Sequence, residues 1–382
     1  MNYIYHTFPG YGVTAEVSSF RPRRKVAEFH IMLHTTGWAT SYEQQLINLH
    51  RAFKDLLARK FPANITPVIK RYFLSDAANQ TTFLEQELKT FPPCSVSIVQ
   101  QPPLDGSKVA LWVYLLSGVN TSDEECFTVS HNDYQHYWIS SQVSPIGTSD
   151  TQTETLLCNY EQLLATRDCH IARHCIRTWF FVQNVDVNYT GVVEARKRNF
   201  LTQGLTEKTH YIASTGIEGR SSDPNSKVQF DAYAVNGIEE GQITFLYALT
   251  HLNPTYEYGV TFERGVCMQY GDRKQLYISG TASIDHKGVV LHVGDIIAQT
   301  HRMWKNVEKL LEEGEANMED LAQIIVYLRD VADYPLVKKM FDEEFPQVPK
   351  QIVLAAVCRP SWLIEMECIA IKSDKNEKFR DL

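Results

Sequence analysis

The sequence predicts an α+β protein built from three copies of one strand-and-helix unit. Three observations predict it. A helix-spaced segment recurs three times in the same internal register, a β-like run follows each, and a turn-punctuated pair of strand-like segments closes each copy. The composition agrees. Of 382 residues, 44% are hydrophobic and 21% charged, which supports buried cores and excludes a largely disordered chain.

The recurring helices are QLINLHRAFKDLL (45–57), QTETLLCNYEQLL (152–164) and QTHRMWKNVEKLL (299–311). In each, Gln is followed eleven residues on by Leu-Leu. Apolar residues such as Leu49, Phe53 and Leu56 fall on one helical face. The second and third copies also share Thr153/Thr300, Asn159/Asn306 and Glu161/Glu308. Strands are expected at 69–76, 176–186 and 324–333, and before the second and third helices at HYWISS (136–141) and LYISGT (276–281). Second helices are expected near 79–90, 192–201 and 334–344, and two strands end each copy. Alternation is clean in Ile364-Glu365-Met366-Glu367-Cys368, so neighbouring side chains there face opposite ways. The unit therefore reads strand–strand–helix–strand–helix–strand–strand, with copies at about 1–118, 119–240 and 241–382. Helices covering one face of a mixed sheet give the α+β class.

Net charge is −8 and no basic stripe is evident, so no nucleic-acid partner is expected. No apolar run of membrane-spanning length and no leader-like start are present, so no membrane partner is expected. The eight cysteines form no CxxC pair and read as free thiols of a reducing cytoplasm. The segment CHIARHC (169–175) sets His170 and His174 one turn apart, but without the Glu of HExxH or a third ligand. No metal and no cofactor are expected. GxGxxG, GxxxxGK[ST] and GxSxG are absent, which removes motif support for nucleotide binding or a serine-hydrolase elbow.

Over 245–373 the chain resembles the Rid (reactive intermediate deaminase, YjgF-like) family, in QLYISGTASI, the Gln299 helix, IIVYLRDVADYPLVKKMFDEEFPQVP and LIEMECIAIK. That resemblance implies a chorismate-mutase-like fold in a family of homotrimers with ligand clefts between neighbours. Three such units in one chain then imply a covalent pseudo-trimer, a monomer or at most a weak oligomer. Across about 175–370 the chain is similar to the chorismatases, a branch of that superfamily, in RTWFFV, EARKRNFL, THYIASTGIEG, TFERG, ISGTASI, GDIIAQT and VCRPSWLIEME. This resemblance implies cofactor-free cleavage of the enol-pyruvyl ether of chorismate, to pyruvate and a hydroxybenzoate or dihydroxy-cyclohexadiene acid. The chain differs from chorismatases in a shorter 255–261 segment, TYEYGVT, and from Rid deaminases in holding Gln351 where they hold a carboxylate-binding Arg.

Glu365 is the candidate general acid. The matching positions of the other copies are Ala110 and Gln229, so one cleft of three carries a carboxyl there. Apolar walls disfavour its charged form and suit it to donate a proton. Arg359 and Arg264, with Arg196 on a predicted helix, are candidate clamps for a small-molecule carboxylate, the expected ligand. By the same resemblance Cys358 steers the product toward a hydroxybenzoate. Tyr211, Thr215 with Gly216, and Ser279-Gly280-Thr281 are candidate linings, Gly280 permitting close backbone approach. Two other readings stand beside this one: a Rid-like enamine or imine hydrolase, and a non-catalytic protein that binds small acids.

Overall fold

The computed structural model describes residues 1–382 except Arg24 and Trp38. Unit one runs β1 (Asn2–Phe8), β2 (Val13–Phe20), β3 (Glu28–Thr35), α1 (Tyr42–Lys60), β4 (Ile65–Leu74), α2 (Ala77–Leu88), β5 (Ser95–Gln100) and β6 (Val109–Ser117). Unit two runs β7 (Asn120–Asp123), β8 (Phe127–His131), β9 (Tyr134–Val143), α3 (Ser149–Ala165), a single turn α4 (Ile171–His174), β10 (Cys175–Val182), α5 (Val185–Thr202), β11 (Ala213–Glu218) and β12 (Val228–Asn236). Unit three runs β13 (Ile243–Leu246), β14 (Gly265–Gln269), β15 (Arg273–Ala282), α6 (Ile296–Glu313), β16 (Leu321–Leu328), α7 (Tyr334–Glu344), β17 (Lys350–Leu354) and β18 (Ile364–Ser373).

Each unit forms one six-stranded sheet, in the orders β1-β2-β3-β6-β4-β5, β7-β8-β9-β12-β10-β11 and β13-β14-β15-β18-β16-β17. Only β4–β5, β10–β11 and β16–β17 are parallel, each pair being joined by a helix. Register fixes the equivalences: Phe73 pairs with Ala110, Phe181 with Gln229, and Tyr327 with Glu365.

The Gln that opens each recurring helix has a structural job. Gln45 Oε1 accepts from Lys108 N at 2.9 Å, Gln152 Oε1 from Lys227 N at 2.8 Å, and Gln299 Oε1 from Leu363 N at 2.9 Å. Each buried amide thereby ties the helix to the residue that enters the central strand of its sheet. An orphaned N–H there would be costly, so the same residue type recurs.

Three expectations are corrected. Three strands, not two, precede the first helix of each unit. The additional ones, β1, β7 and β13, are short or exposed edges, and β7 (NTSD) has no buried residue to give it a pattern. The strand expected over 176–186 stops at Val182, and α5 starts at Val185. Glu218 accepts from Asn184 N at 2.9 Å and Val185 N at 2.6 Å, so a distant carboxylate satisfies the start of α5. Likewise the strand expected over 324–333 is β16, after which Val331–Asp333 is a 3-10 turn.

Side chains alternate across each sheet. Tyr72, Leu74, Leu111 and Val113 pack with Leu49, Phe53 and Leu56 of α1. Phe73, Trp112, Phe181, Tyr233 and Tyr327 join one core shared by all three sheets. Helices therefore lie outside and sheets meet at a common centre. Four charges are buried there: Arg71 is 3.1 Å from Asp231 and 3.5 Å from Glu367, and Arg177 is 2.8 Å from Glu367. Trp179 Nε1 donates to Glu367 at 2.9 Å, and Ser141 N to Asp231 at 2.7 Å. All eight cysteines are free thiols. Among the described residues no helix is long and apolar enough to cross a membrane.

Removing one partner of a buried ion pair strands the other. Asp231→Ala is expected to lower unfolding stability by about 3–5 kcal/mol, read as the shift of the denaturant midpoint. An unchanged midpoint would show that Arg71 is satisfied without Asp231.

Candidate active site

Edge strand β11 of unit two lies along β15 of unit three. Ser214 N donates to Ser279 Oγ at 2.9 Å, Gly280 N to Thr215 Oγ1 at 2.9 Å, and Glu263 N to Ile212 O at 3.0 Å. A cavity of about 110 Å³ opens at this seam. Helix α5 supplies Tyr189 and Arg196, the 258–264 segment supplies Tyr258 and Arg264, and the β17–β18 loop supplies Cys358, Arg359 and Trp362. Glu365 closes it from β18.

The Glu365 carboxyl rests against Gly280. A Cβ on Gly280 would stand 2.1 Å from Glu365 Oε1, so a side chain there would displace the acid. Glu365 is 5% exposed. Burial, reinforced by the Glu367 carboxylate on the same sheet face, pushes its pKa up to about 8, against the pull of Arg264 and Arg177. Burial and the neighbouring Glu365 push the Cys358 thiol up to about 12, so it stays protonated near neutrality.

Three guanidiniums face the same cavity. Arg196 donates through Nε to Thr261 Oγ1 at 3.2 Å and through Nη1 to Ser214 Oγ at 3.4 Å, while its buried Nη2 has no partner among the described residues. Arg264 Nη2 holds Asn253 O at 3.1 Å and Oδ1 at 3.2 Å. Arg359 lies 4.7 Å above the Tyr258 ring and 4.8 Å above Trp362. None of the three is in an ion pair with a carboxylate among the described residues. A positively lined pocket with one buried, neutral acid is equipped to hold an anionic ligand and protonate it.

Of the residues named from sequence, Glu365, Cys358, Arg359, Arg264, Arg196, Thr215, Gly216 and Gly280 line one cavity. Thr215 also faces the central charges, donating to Glu367 Oε2 at 2.5 Å. Three do not line it. Tyr211 packs on Phe200 beside the cleft, and its N–H donates to Glu263. Ser279 Oγ–H donates to Glu263 O, and Thr281 Oγ–H to Ser279 O, so both hold the seam's backbone. Gln351 belongs to another seam, and Thr215 is its counterpart here, each standing opposite an equivalent strand residue, Ile325 or Trp179. Sequence reasoning missed Tyr189, Phe262 and Trp362. Tyr189 lies two helical turns before Arg196, on the same face, a spacing that would have found it. His170 and His174 each spend Nδ1 on a backbone N–H, of Ala172 and His170, and so cap the α4 turn. Among the described residues no group of three or more His, Cys, Asp or Glu side chains is placed to hold a metal.

Comparison with known proteins bears on the family and the fold. The family described as Endoribonuclease L-PSP matches residues 264–372. The 3-aminoacrylate deaminase RutC of Acinetobacter baylyi is 31% identical over 97 residues, 25% of this chain and 77% of that protein. A RutC family protein of Pyrococcus abyssi is 33% identical over 99 residues, 25% of this chain and 78% of that protein. The chain belongs to the RutC family. It is a RutC family member with three such units, and the fold of most of the chain has a solved counterpart: a chorismatase superposes with a TM-score of 0.61 at 16% identity, over 80% of this chain and 93% of that one.

For this RutC family member, Glu365 makes a pH signature in stability. Its pKa rises from 4.5 unfolded to about 8 folded. Between those values the folded chain keeps a proton that the unfolded chain has lost, so stability falls as pH rises. Glu365→Gln is expected to remove part of that fall, measured by denaturant unfolding at several pH values. An identical slope in the variant would mean that Glu365 is not a buried neutral acid.

Proposed function

We propose that the seam between units two and three cleaves the enol-pyruvyl ether of chorismate, or of a closely related acid. The observation that carries this is one neutral, buried carboxyl facing three guanidiniums that are free of carboxylate partners. Chorismate brings two carboxylates for those guanidiniums and an electron-rich enol-ether carbon for the acid. Glu365 protonates the enol-ether methylene, and the C=C electrons take that proton, leaving an oxocarbenium ion. Water adds to the cation and the hemiketal collapses to pyruvate and a dihydroxy-cyclohexadiene acid, the proton shed by water returning to Glu365. Capture by a ring hydroxyl instead leads to a hydroxybenzoate, a route that consumes no water overall. Cys358, held as a neutral thiol, serves to shape this choice rather than to attack as a thiolate. Arg196, Arg264 and Arg359 bind the carboxylates and favour their ionised forms. The fold shared with a chorismatase supports this reading.

A second reading is favoured by the name of the RutC relative. Hydrolysis of an enamine such as 3-aminoacrylate also begins with a proton delivered to an electron-rich carbon. It needs one carboxylate clamp, whereas this cavity offers three guanidiniums.

Incubation with chorismate, with pyruvate followed by a coupled dehydrogenase, tests the first reading. Turnover is expected, with a loss of about 100-fold or more in kcat/KM for Glu365→Gln and a decline in rate as pH passes about 8. No pyruvate, or an undiminished rate in the variant, contradicts it. Ammonia from 3-aminoacrylate without pyruvate from chorismate transfers the site to the second reading.

A further inference from the structure

The three seams are related by register, so each position in one cleft has a counterpart in the others. The seam between units one and two is bridged by serines: Ser95 Oγ lies 2.7 Å from Ser140 Oγ, and Ile98 N donates to Ser141 Oγ at 2.8 Å. The seam between units three and one is open, around a cavity of about 260 Å³. That is room for a small organic molecule rather than a lone water.

Acids stand at the positions that the arginines hold in the first cleft. Arg264 precedes Gly265, which pairs with Ile278 and, through it, Cys368; Glu16 precedes Val17, which pairs with Ile31 and, through it, Val113. Cys368 and Val113 lie the same distance beyond Glu365 and Ala110, so Glu16 stands where Arg264 stands. Asp105 lies in the β5–β6 loop as Arg359 lies in the β17–β18 loop, each just ahead of the central strand. Counted from the paired residues Phe181 and Tyr327, Asp342 falls where Arg196 falls. All three acids line the second cavity, and Ala110 replaces Glu365.

Two of the acids are neutralised within the protein. His34 Nε2 is 3.3 Å from Glu16, and Lys350 Nζ is 3.5 Å from Glu16 and 3.6 Å from Asp342, which Lys338 also meets. Asp105 has no ion pair among the described residues; its Oδ1 accepts from Ser107 N at 2.9 Å and Ser107 Oγ at 2.6 Å. Gln351, 2% exposed, donates to Ile352 O at 3.0 Å, but its Oε1 has no partner among the described residues. What remains open among the described residues is thus a half-buried carboxylate without an ion pair and a buried amide oxygen without a donor, both acceptors, beside the rings of Tyr5 and Tyr334. A ligand that completes them brings N–H donors and positive charge, and aromatic faces suit the same charge.

We propose that the seam between units three and one is a second ligand site, which takes a small primary ammonium compound on Asp105 and Gln351. It is separate from the cleavage cleft and stands whether or not that reaction is confirmed.

Calorimetric titration of the full chain tests it, with ethanolamine, 1,4-diaminobutane and benzylamine as probes. The matching alcohols serve as neutral controls, and sodium chloride equalises ionic strength. Saturable binding by at least one amine, not shown by its alcohol, is expected. Asp105→Asn keeps the Ser107 hydrogen bonds and removes the charge, so it should weaken that binding about tenfold, while Glu365→Gln leaves it unchanged. The proposal is overturned if no amine binds beyond the salt control, if the alcohols bind equally, or if Asp105→Asn binds as wild type does.

Discussion

Arg71, Arg177, Asp231 and Glu367 come from three different sheets and meet where water does not reach. No unit satisfies these charges alone: Arg71 of unit one needs Asp231 of unit two and Glu367 of unit three. Buried charges left unpaired cost several kcal/mol each, so this cluster ties the three sheets to one arrangement. The cleft between units two and three depends on it directly. Glu367 holds Thr215 on one wall of the cleft and adds its negative charge to the forces that keep Glu365 protonated.

Register-equivalent positions show how one fold yields three unlike seams. Trp112, Asp231 and Glu367 are equivalent, as are Ala110, Gln229 and Glu365. Three identical subunits would carry the same side chain at all three places and could not build this asymmetric charge cluster at the centre. Joining the units in one chain frees each position to differ. One seam holds an acid among arginines, one holds acids where those arginines would be, and one is bridged by serines.

Much of this is legible in the sequence, because its causes are local. The helices show their apolar spacing, and the recurring Gln marks a hydrogen bond repeated in every unit. Glu365 stands out because its counterparts are Ala110 and Gln229. What escaped depends on partners far along the chain. The start of α5 rests on Glu218, the edge strands rest on their neighbours rather than on a pattern of their own, and Ser279 and Thr281 turn out to serve backbone. Glu367 reads as a same-face neighbour of Glu365, and only the meeting of three sheets separates a paired ion from a neutral acid.

The protonation state of Glu365 is the claim on which the rest turns, and it can be observed directly. With glutamate labelled at the side-chain carboxyl carbon, the resonance absent from the Glu365→Gln spectrum belongs to this residue, and its shift can be followed with pH. The account predicts a midpoint near 8, far above the ordinary 4.5. A midpoint in the ordinary carboxylate range would contradict it, leaving the seam with a charged glutamate and no proton to give.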